Sequence, residues 1–189
     1  SQPIQELLPD GVTLPVAARG VTLHQLTTHT SGFPRLAGNM SPLLGLKMLL
    51  FGSDPYAGFT EANLLEGVRG VGLESKPGTT FSYSNFGVTL LGYLLARRAG
   101  VDYETLVKRE ICRPLGMNDT TITLDRAHVA RTAQGYRAVL RCGPIVCALR
   151  SSPWFNAPNL GGAGAIRSSG TDLLKYLTAN MRPDGQPLE

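Results

Sequence analysis

The side chains best placed to do chemistry together are Tyr83 and Asn85, separated by Ser84 within the run from Lys76 to Gly87. A phenol can relay a proton, and a carboxamide both donates and accepts hydrogen bonds. The pair could therefore serve acid–base transfer and substrate anchoring from one short segment. A Pro77-Gly78 turn and the β-prone Thr79, Thr80, Phe81 and Tyr83 lead into the tripeptide, and a long apolar helical pattern follows it. Asn85 stands immediately before that pattern and is expected to be its N-cap, because an Asn side-chain oxygen accepts from the orphan N–H groups of a first turn. The plainer alternative is a capped helix start beside one packed tyrosine.

Other reactive groups are dispersed. His24 and His29 border a short helical pattern with no acidic or cysteine partner near them, so one surface histidine and one hydrogen-bonded histidine near a helix end are expected. Cys112, Cys142 and Cys147 match no zinc spacing, and His24, His29 and His128 are not placed to complete one; no metal site is expected. Cys142 and Cys147 flank Gly143-Pro144 and could bridge a hairpin in an oxidising compartment, whereas Cys112 reads as a buried small apolar residue. The glycines at 161, 162 and 164 lack both the full G-x-G-x-x-G and a surrounding βαβ pattern, which argues against phosphate binding, and no cofactor is expected.

Composition narrows the classes. The chain has 189 residues, 42% of them hydrophobic, and a formal net charge of +4. That length suits one domain or one and a half, with enough apolar residues for a real core. The basic residues are scattered, and the densest pair, Arg97-Arg98, falls near a helix C-terminus, where cations suit the macrodipole. A nucleic-acid binder would gather them into a stripe with aromatics, so no nucleic-acid partner is expected. No apolar run reaches the roughly 18 residues that a spanning helix needs, and no signal peptide is expected among these residues. The start without an initiator Met and the polar, turn-rich stretch after Arg182 are expected of a fragment or a processed piece.

The elements that must position these residues follow from periodicity and caps. Thr22 caps a short helix from Leu23, which Gly32 and Pro34 bring to an end. Ser41 and Pro42 open a buried helix through about Phe51, and Thr60 caps another from Glu61 to about Val68, with Leu64, Leu65 and Val68 inward. After Asn85, the residues Phe86, Leu90, Leu91, Leu94 and Leu95 recur at three and four positions. Gly87 and Gly92 interrupt that helix at about 1 kcal/mol each relative to Ala, which points to close approach of another backbone. Asp102 starts a helix to about Cys112, a turn and a short strand occupy 114–124, and 125–131 is helical. Strands over 134–140 and 145–149 form a hairpin. The last helix begins at Ser168-Ser169 and carries Leu173, Leu174, Tyr176 and Leu177.

Five stretches, in order, resemble the serine β-lactamase and penicillin-binding protein family, nearest its class C branch with its carboxypeptidase and esterase relatives. Residues 21–34 are similar to the family's block ending in His-Thr-Ser-Gly, and 76–93 to its Lys-Pro-Gly block with Tyr-Ser-Asn. Residues 114–121 match its Pro-Leu-Gly-Met block, 133–136 its Ala-x-Gly-Tyr, and 161–177 its glycine-rich block followed by a Ser-x-x-Asp-Leu helix. The resemblance implies an α+β, mainly helical fold, the central helical domain of the β-lactamase/transpeptidase-like fold without most of its antiparallel sheet. It implies an extended lead-in over 1–20, the helical domain over 21–181 with a small hairpin near 133–149, and a truncated tail over 182–189.

It also implies a function. The family's site combines Ser-x-x-Lys, Tyr-x-Asn or Ser-x-Asn, and Lys/His-Thr/Ser-Gly. Tyr83 and Asn85 match the second motif: the phenol of Tyr83 would be the catalytic proton shuttle, and Asn85 would hold the substrate's amide. A free phenol near pKa 10 is a poor base at neutral pH, so ammonium groups would have to lower it. The other two motifs are absent, since Leu44, Leu73, Thr105 and Asp172 stand three residues before the lysines at 47, 76, 108 and 175. The chain is thus expected to be part of a serine hydrolase acting on β-lactam or D-Ala-D-Ala amide, in the periplasm or outside the cell, and catalytically incomplete alone. Its expected partner is a small-molecule or peptide substrate. The alternatives are a non-catalytic binding module on the same scaffold, or an esterase of the same family.

Overall fold

The computed structural model describes residues 2–39, 58–142, 145–151 and 160–181. The helix expected over 41–51, the Gly143-Pro144 turn, the loop around Trp154 and the tail over 182–189 lie outside the described residues. Among the described residues the α-helices are α1 (Leu23–Thr27), α2 (Glu61–Arg69), α3 (Asn85–Ala99), α4 (Tyr103–Val107), α5 (Arg126–Arg131) and α6 (Gly170–Asn180). A π-helical turn over Lys108–Cys112 continues α4. Strands β1 (Tyr136–Cys142) and β2 (Ile145–Arg150) pair antiparallel in a hairpin. The fold is α+β and mainly helical.

The helix starts show why these segments fold locally. Thr22 and Thr60 form capping boxes with Gln25 and Asn63, each closing two orphan groups at once. Asp102, Asp125 and Ser169 accept from the backbone N–H of Thr105, His128 and Asp172. Gly100 stops α3 in the left-handed region, at φ 68°.

One helix start differs from expectation. Ser84, not Asn85, is the N-cap of α3: its backbone is extended and its Oγ accepts the Gly87 N–H at 2.8 Å. The same hydroxyl donates to the Pro34 carbonyl at 2.7 Å. A hydroxyl can accept and donate through a single atom, which suits it to both partners. Asn85 is therefore the first helical residue.

The apolar core gathers on α3. Phe86, Leu90 and Leu94 are buried on one face, with Leu26 of α1, Leu64 and Val68 of α2, and Phe33. Ile4, Val12, Leu14 and Ala18 from the first twenty residues close it from another side. Leu95, on the far side of α3, stays exposed. A Cβ on Gly92 would stand 3.0 Å from the Tyr103 ring and 3.2 Å from the Gly162 Cα, and one on Gly162 would stand 2.4 Å from the Val88 carbonyl oxygen. The close backbone approach expected at Gly92 is thus made by the glycine-rich stretch. Gly87 answers a different need, packing against Ser84 and Leu26.

One expectation fails at the other end of the molecule. The short strand of 114–124 reduces to an isolated bridge between Thr121 and Arg167. The apolar residues of α6 do not enter the core: Leu173, Leu174, Tyr176 and Leu177 are all exposed. Buried Asp172 holds that helix instead, accepting from the Asp119 N–H at 2.7 Å, Thr120 Oγ1 at 2.9 Å and Lys175 Nζ at 3.1 Å. In the hairpin, the register sets Leu140 opposite Cys147 and Cys142 opposite Ile145, so the two cysteines are not register partners.

Candidate active site

The segment carrying Tyr83 and Asn85 is clamped before it enters α3. Residues 29–35 run alongside it: the Ser82 N–H donates to His29 O at 2.8 Å, Gly78 N–H to Thr30 O at 2.7 Å, Glu74 N–H to Gly32 O at 2.7 Å, and Phe86 N–H to Arg35 O at 3.2 Å. Gly32 has φ +75°, and a Cβ there would stand 2.2 Å from the Ser75 carbonyl oxygen, so only glycine lets the two segments meet. The two stretches that sequence reading separated by about fifty residues are therefore one structural unit. Their pairing serves to fix Ser84.

Ser84 is fully buried, with its N–H donated to His29 Nδ1 at 3.2 Å and its hydroxyl used twice. Its neighbours point the other way. Tyr83 is half exposed and Asn85 half buried. Among the described residues, neither the Tyr83 hydroxyl nor the Asn85 amide has a hydrogen-bond partner. A clamped backbone thus presents two polar groups that the described residues do not employ. The Tyr83 ring lies 4.6 Å from the His29 ring at 40°, and Phe81, also exposed, meets His29 edge-on at 5.8 Å.

The other tyrosine of the block is used differently. Tyr93 is buried and donates its hydroxyl to Glu61 at 2.7 Å. Burial first, and then the Glu61 carboxylate, push it up to about 12. That phenol is tied up as a donor and cannot relay protons near neutrality. His24 is exposed and His29 is the hydrogen-bonded histidine, as expected from the sequence. Cys112 is buried, as expected, and burial raises its thiol. Among the described residues no group of His, Cys, Asp or Glu could hold a metal ion.

Two cavities lie away from Tyr83. One, of about 360 Å³, is bordered by Asp119, His128, Arg131, Arg167 and Ser169; the other, of about 400 Å³, by Glu61, Tyr93, Arg97 and Asp102. In the first, Arg131 is paired with Asp119 at 2.6 Å, and in the second Glu61 accepts from Tyr93. Tyr83 borders neither of them.

With that geometry in place, the comparisons decide the family. The profile of the Beta-lactamase family matches residues 1–188. The chain belongs to the β-lactamase family. It is 28% identical over 186 residues to an unguisins hydrolase of Aspergillus campestris, covering 95% of this chain and 32% of that protein. It is 25% identical over 185 residues to the D-alanyl-D-alanine-carboxypeptidase/endopeptidase AmpH of Escherichia coli, covering 97% of this chain and 43% of that protein. Among solved structures, a β-lactamase/D-alanine carboxypeptidase from Yersinia pestis, complexed with citrate, superposes with a TM-score of 0.74 at 25% identity, over 99% of this chain and 48% of that one. The chain thus spans between a third and a half of the length of these β-lactamase-family relatives, and its fold is the mainly helical part of theirs, with little sheet. No helix among the described residues is long and apolar enough to cross a membrane.

Sequence reading found Tyr83 and Asn85 but assigned no role to Ser84 and separated His29 from the site. The signal for Ser84 was present, since serine is as good an N-cap as asparagine and stands one residue earlier. No local signal links His29 to Tyr83. Their meeting depends on the pairing of two distant segments.

Proposed function

We propose that this chain supplies the Tyr-x-Asn portion of a serine acyl-transfer site in a hydrolase of the class C type. The observation that carries the reading is the pair of unemployed polar groups, Tyr83 OH and Asn85 amide, held on either side of buried Ser84 in a β-lactamase-family chain. The nucleophile would come from a Ser-x-x-Lys segment outside these residues, since none of the four lysines here has a serine three positions before it. The serine Oγ attacks the carbonyl carbon, and its proton passes through the amine and the Tyr83 phenol to the leaving nitrogen as the C–N bond breaks. Water then hydrolyses the acyl ester by the reverse relay. Backbone N–H groups would hold the oxyanion. Asn85, with both donor and acceptor atoms free, orients the substrate's amide.

The substrate class is a β-lactam or a D-Ala-D-Ala peptide, and the place of action is the periplasm or outside the cell. The names of AmpH and of the Yersinia pestis protein support the substrate class. A protein carrying this chain together with its Ser-x-x-Lys segment is expected to hydrolyse a chromogenic cephalosporin, a D-Ala-D-Ala peptide or a small ester. Tyr83→Phe is expected to lower kcat by about 10²–10⁴, the usual worth of a proton relay. Wild-type turnover that Tyr83→Phe leaves intact would sink this assignment. A second reading, a binding module on the same scaffold, is favoured by the missing Ser-x-x-Lys; it predicts that ligand binds without release of any acyl product.

A further inference from the structure

We propose that His29 is a positioning residue for Tyr83, which rests on the reading above that Tyr83 acts on the substrate. His29 lies just beyond the end of α1 with φ +55°, and among the described residues no other non-glycine residue has positive φ. That conformation is unfavourable for an L-residue, and histidine is one of the few side chains that adopt it with any frequency. Strain of this kind persists where surrounding contacts over-determine it. Here they do so from three directions. The His29 N–H donates to Leu26 O at 3.3 Å, its carbonyl accepts the Ser82 N–H at 2.8 Å, and its Nδ1 accepts the Ser84 N–H at 3.2 Å.

The last bond has two consequences. An acceptor at Nδ1 places the ring proton on Nε2, so the neutral imidazole has one defined tautomer. It also fixes the ring plane, and that plane is what Tyr83 rests on, with centroids 4.6 Å apart. Phe81 braces the same ring edge-on at 5.8 Å. The imidazole therefore couples the residue before α3 to the phenol beside it: Ser84 N–H orients the His29 ring, and the His29 ring limits where the Tyr83 phenol can point. No other ring meets Tyr83 among the described residues. His29 touches no substrate in this scheme and exchanges no proton; its effect passes entirely through Tyr83.

Two variants separate the parts. His29→Asn keeps an acceptor at the position of Nδ1 and a residue tolerant of φ +55°, but removes the ring; His29→Gly keeps the backbone and removes both. Each is made in the full-length protein, whose tyrosines are 13C-labelled, with the Tyr83 signals assigned through Tyr83→Phe. Loss of the imidazole ring current is expected to shift the Tyr83 ring signals in both variants and leave those of Tyr93 in place. With a chromogenic cephalosporin, kcat is expected to fall about tenfold in His29→Gly and less in His29→Asn, with KM changed less than kcat, since misplacement of a reacting group by a fraction of an ångström costs rate more than binding. Unshifted Tyr83 signals in folded His29→Gly, or an unchanged kcat in an active enzyme, would overturn the proposal. A wild-type protein that turns over nothing, yet whose Tyr83 signals move in both variants, would refute the acyl-transfer reading while leaving the positioning of Tyr83 by His29 in force.

Discussion

Ser84 shows how one small side chain can hold a proposed site in place without taking part in it. Its hydroxyl caps α3 and answers the Pro34 carbonyl, and its N–H is held by His29. Replacing it with alanine removes the cap and leaves a buried carbonyl unpaired. Caps and buried acceptors are each worth about 1–2 kcal/mol, so Ser84→Ala is expected to cost about 2–3 kcal/mol by urea denaturation. Ser84→Asn, which supplies a cap of the kind the sequence suggested for Asn85, should recover only part of that, because the larger side chain must enter a position that is fully buried. A variant of wild-type stability would show that the Pro34 bond contributes nothing. At this scale Tyr83 and Asn85 were legible in the sequence as candidates because their types and spacing are intrinsic to one segment. The duties of Ser84 and His29 were not, because each depends on an atom about fifty residues away.

At the scale of elements, the apolar pattern was a good guide for α2 and α3 and a poor one for α6. Periodicity finds which residues share a face, and it cannot say whether that face meets anything. On α3 the face of Phe86, Leu90 and Leu94 is buried; on α6, Leu174 is 64% exposed while Asp172 is 3% exposed. Asp172 satisfies the Asp119 N–H and Thr120 Oγ1, and Lys175 donates both to Asp172 and to the Gly116 carbonyl. The usual ranking of leucine over aspartate in a stability scan is therefore expected to invert here. Leu174→Ala should change stability by no more than about 0.5 kcal/mol, as surface substitutions do. Asp172→Ala should cost about 2–3 kcal/mol, because it strands a buried N–H and hydroxyl. Urea denaturation of the two variants reads the difference directly, and a loss of 2 kcal/mol or more in Leu174→Ala would mean that the apolar face is packed after all.

Across the whole molecule, two modes of cohesion meet at α3. One side is apolar, built by α1, α2 and the first twenty residues; the other is polar, built on Glu104 and Asp172, which grip residues 119–123 from opposite directions. Glu104 accepts from Thr121 Oγ1 at 2.5 Å, from the Ile122 and Thr123 N–H groups at 3.0 Å, and from Lys108 Nζ at 2.7 Å. Burial by itself would raise this carboxyl, but the Lys108 ammonium and the surrounding donors outweigh it and bring it down to about 2, from an ordinary 4.5. Burial likewise opposes ionisation of Asp172, and the Asp119 N–H and Lys175 prevail in the same direction. A carboxyl whose folded value is depressed stabilises the fold fully above its unfolded value and loses that contribution as pH falls toward the folded one. The polar half should therefore loosen as pH drops from about 4.5 toward 2, while the half held by apolar burial should keep its protection longer. Hydrogen exchange followed between pH 5 and 2.5, after correction for the intrinsic rate, is expected to show the amides of Asp119, Ile122, Thr123 and α6 losing protection before those of α3. Glu104→Gln should remove that pH dependence at 121–123 by placing its amide N–H groups against donors, and should lose protection there already at neutral pH. Simultaneous loss of protection across both halves would instead mean that the glycine contact of Gly92 with Gly162 couples them into one cooperative unit.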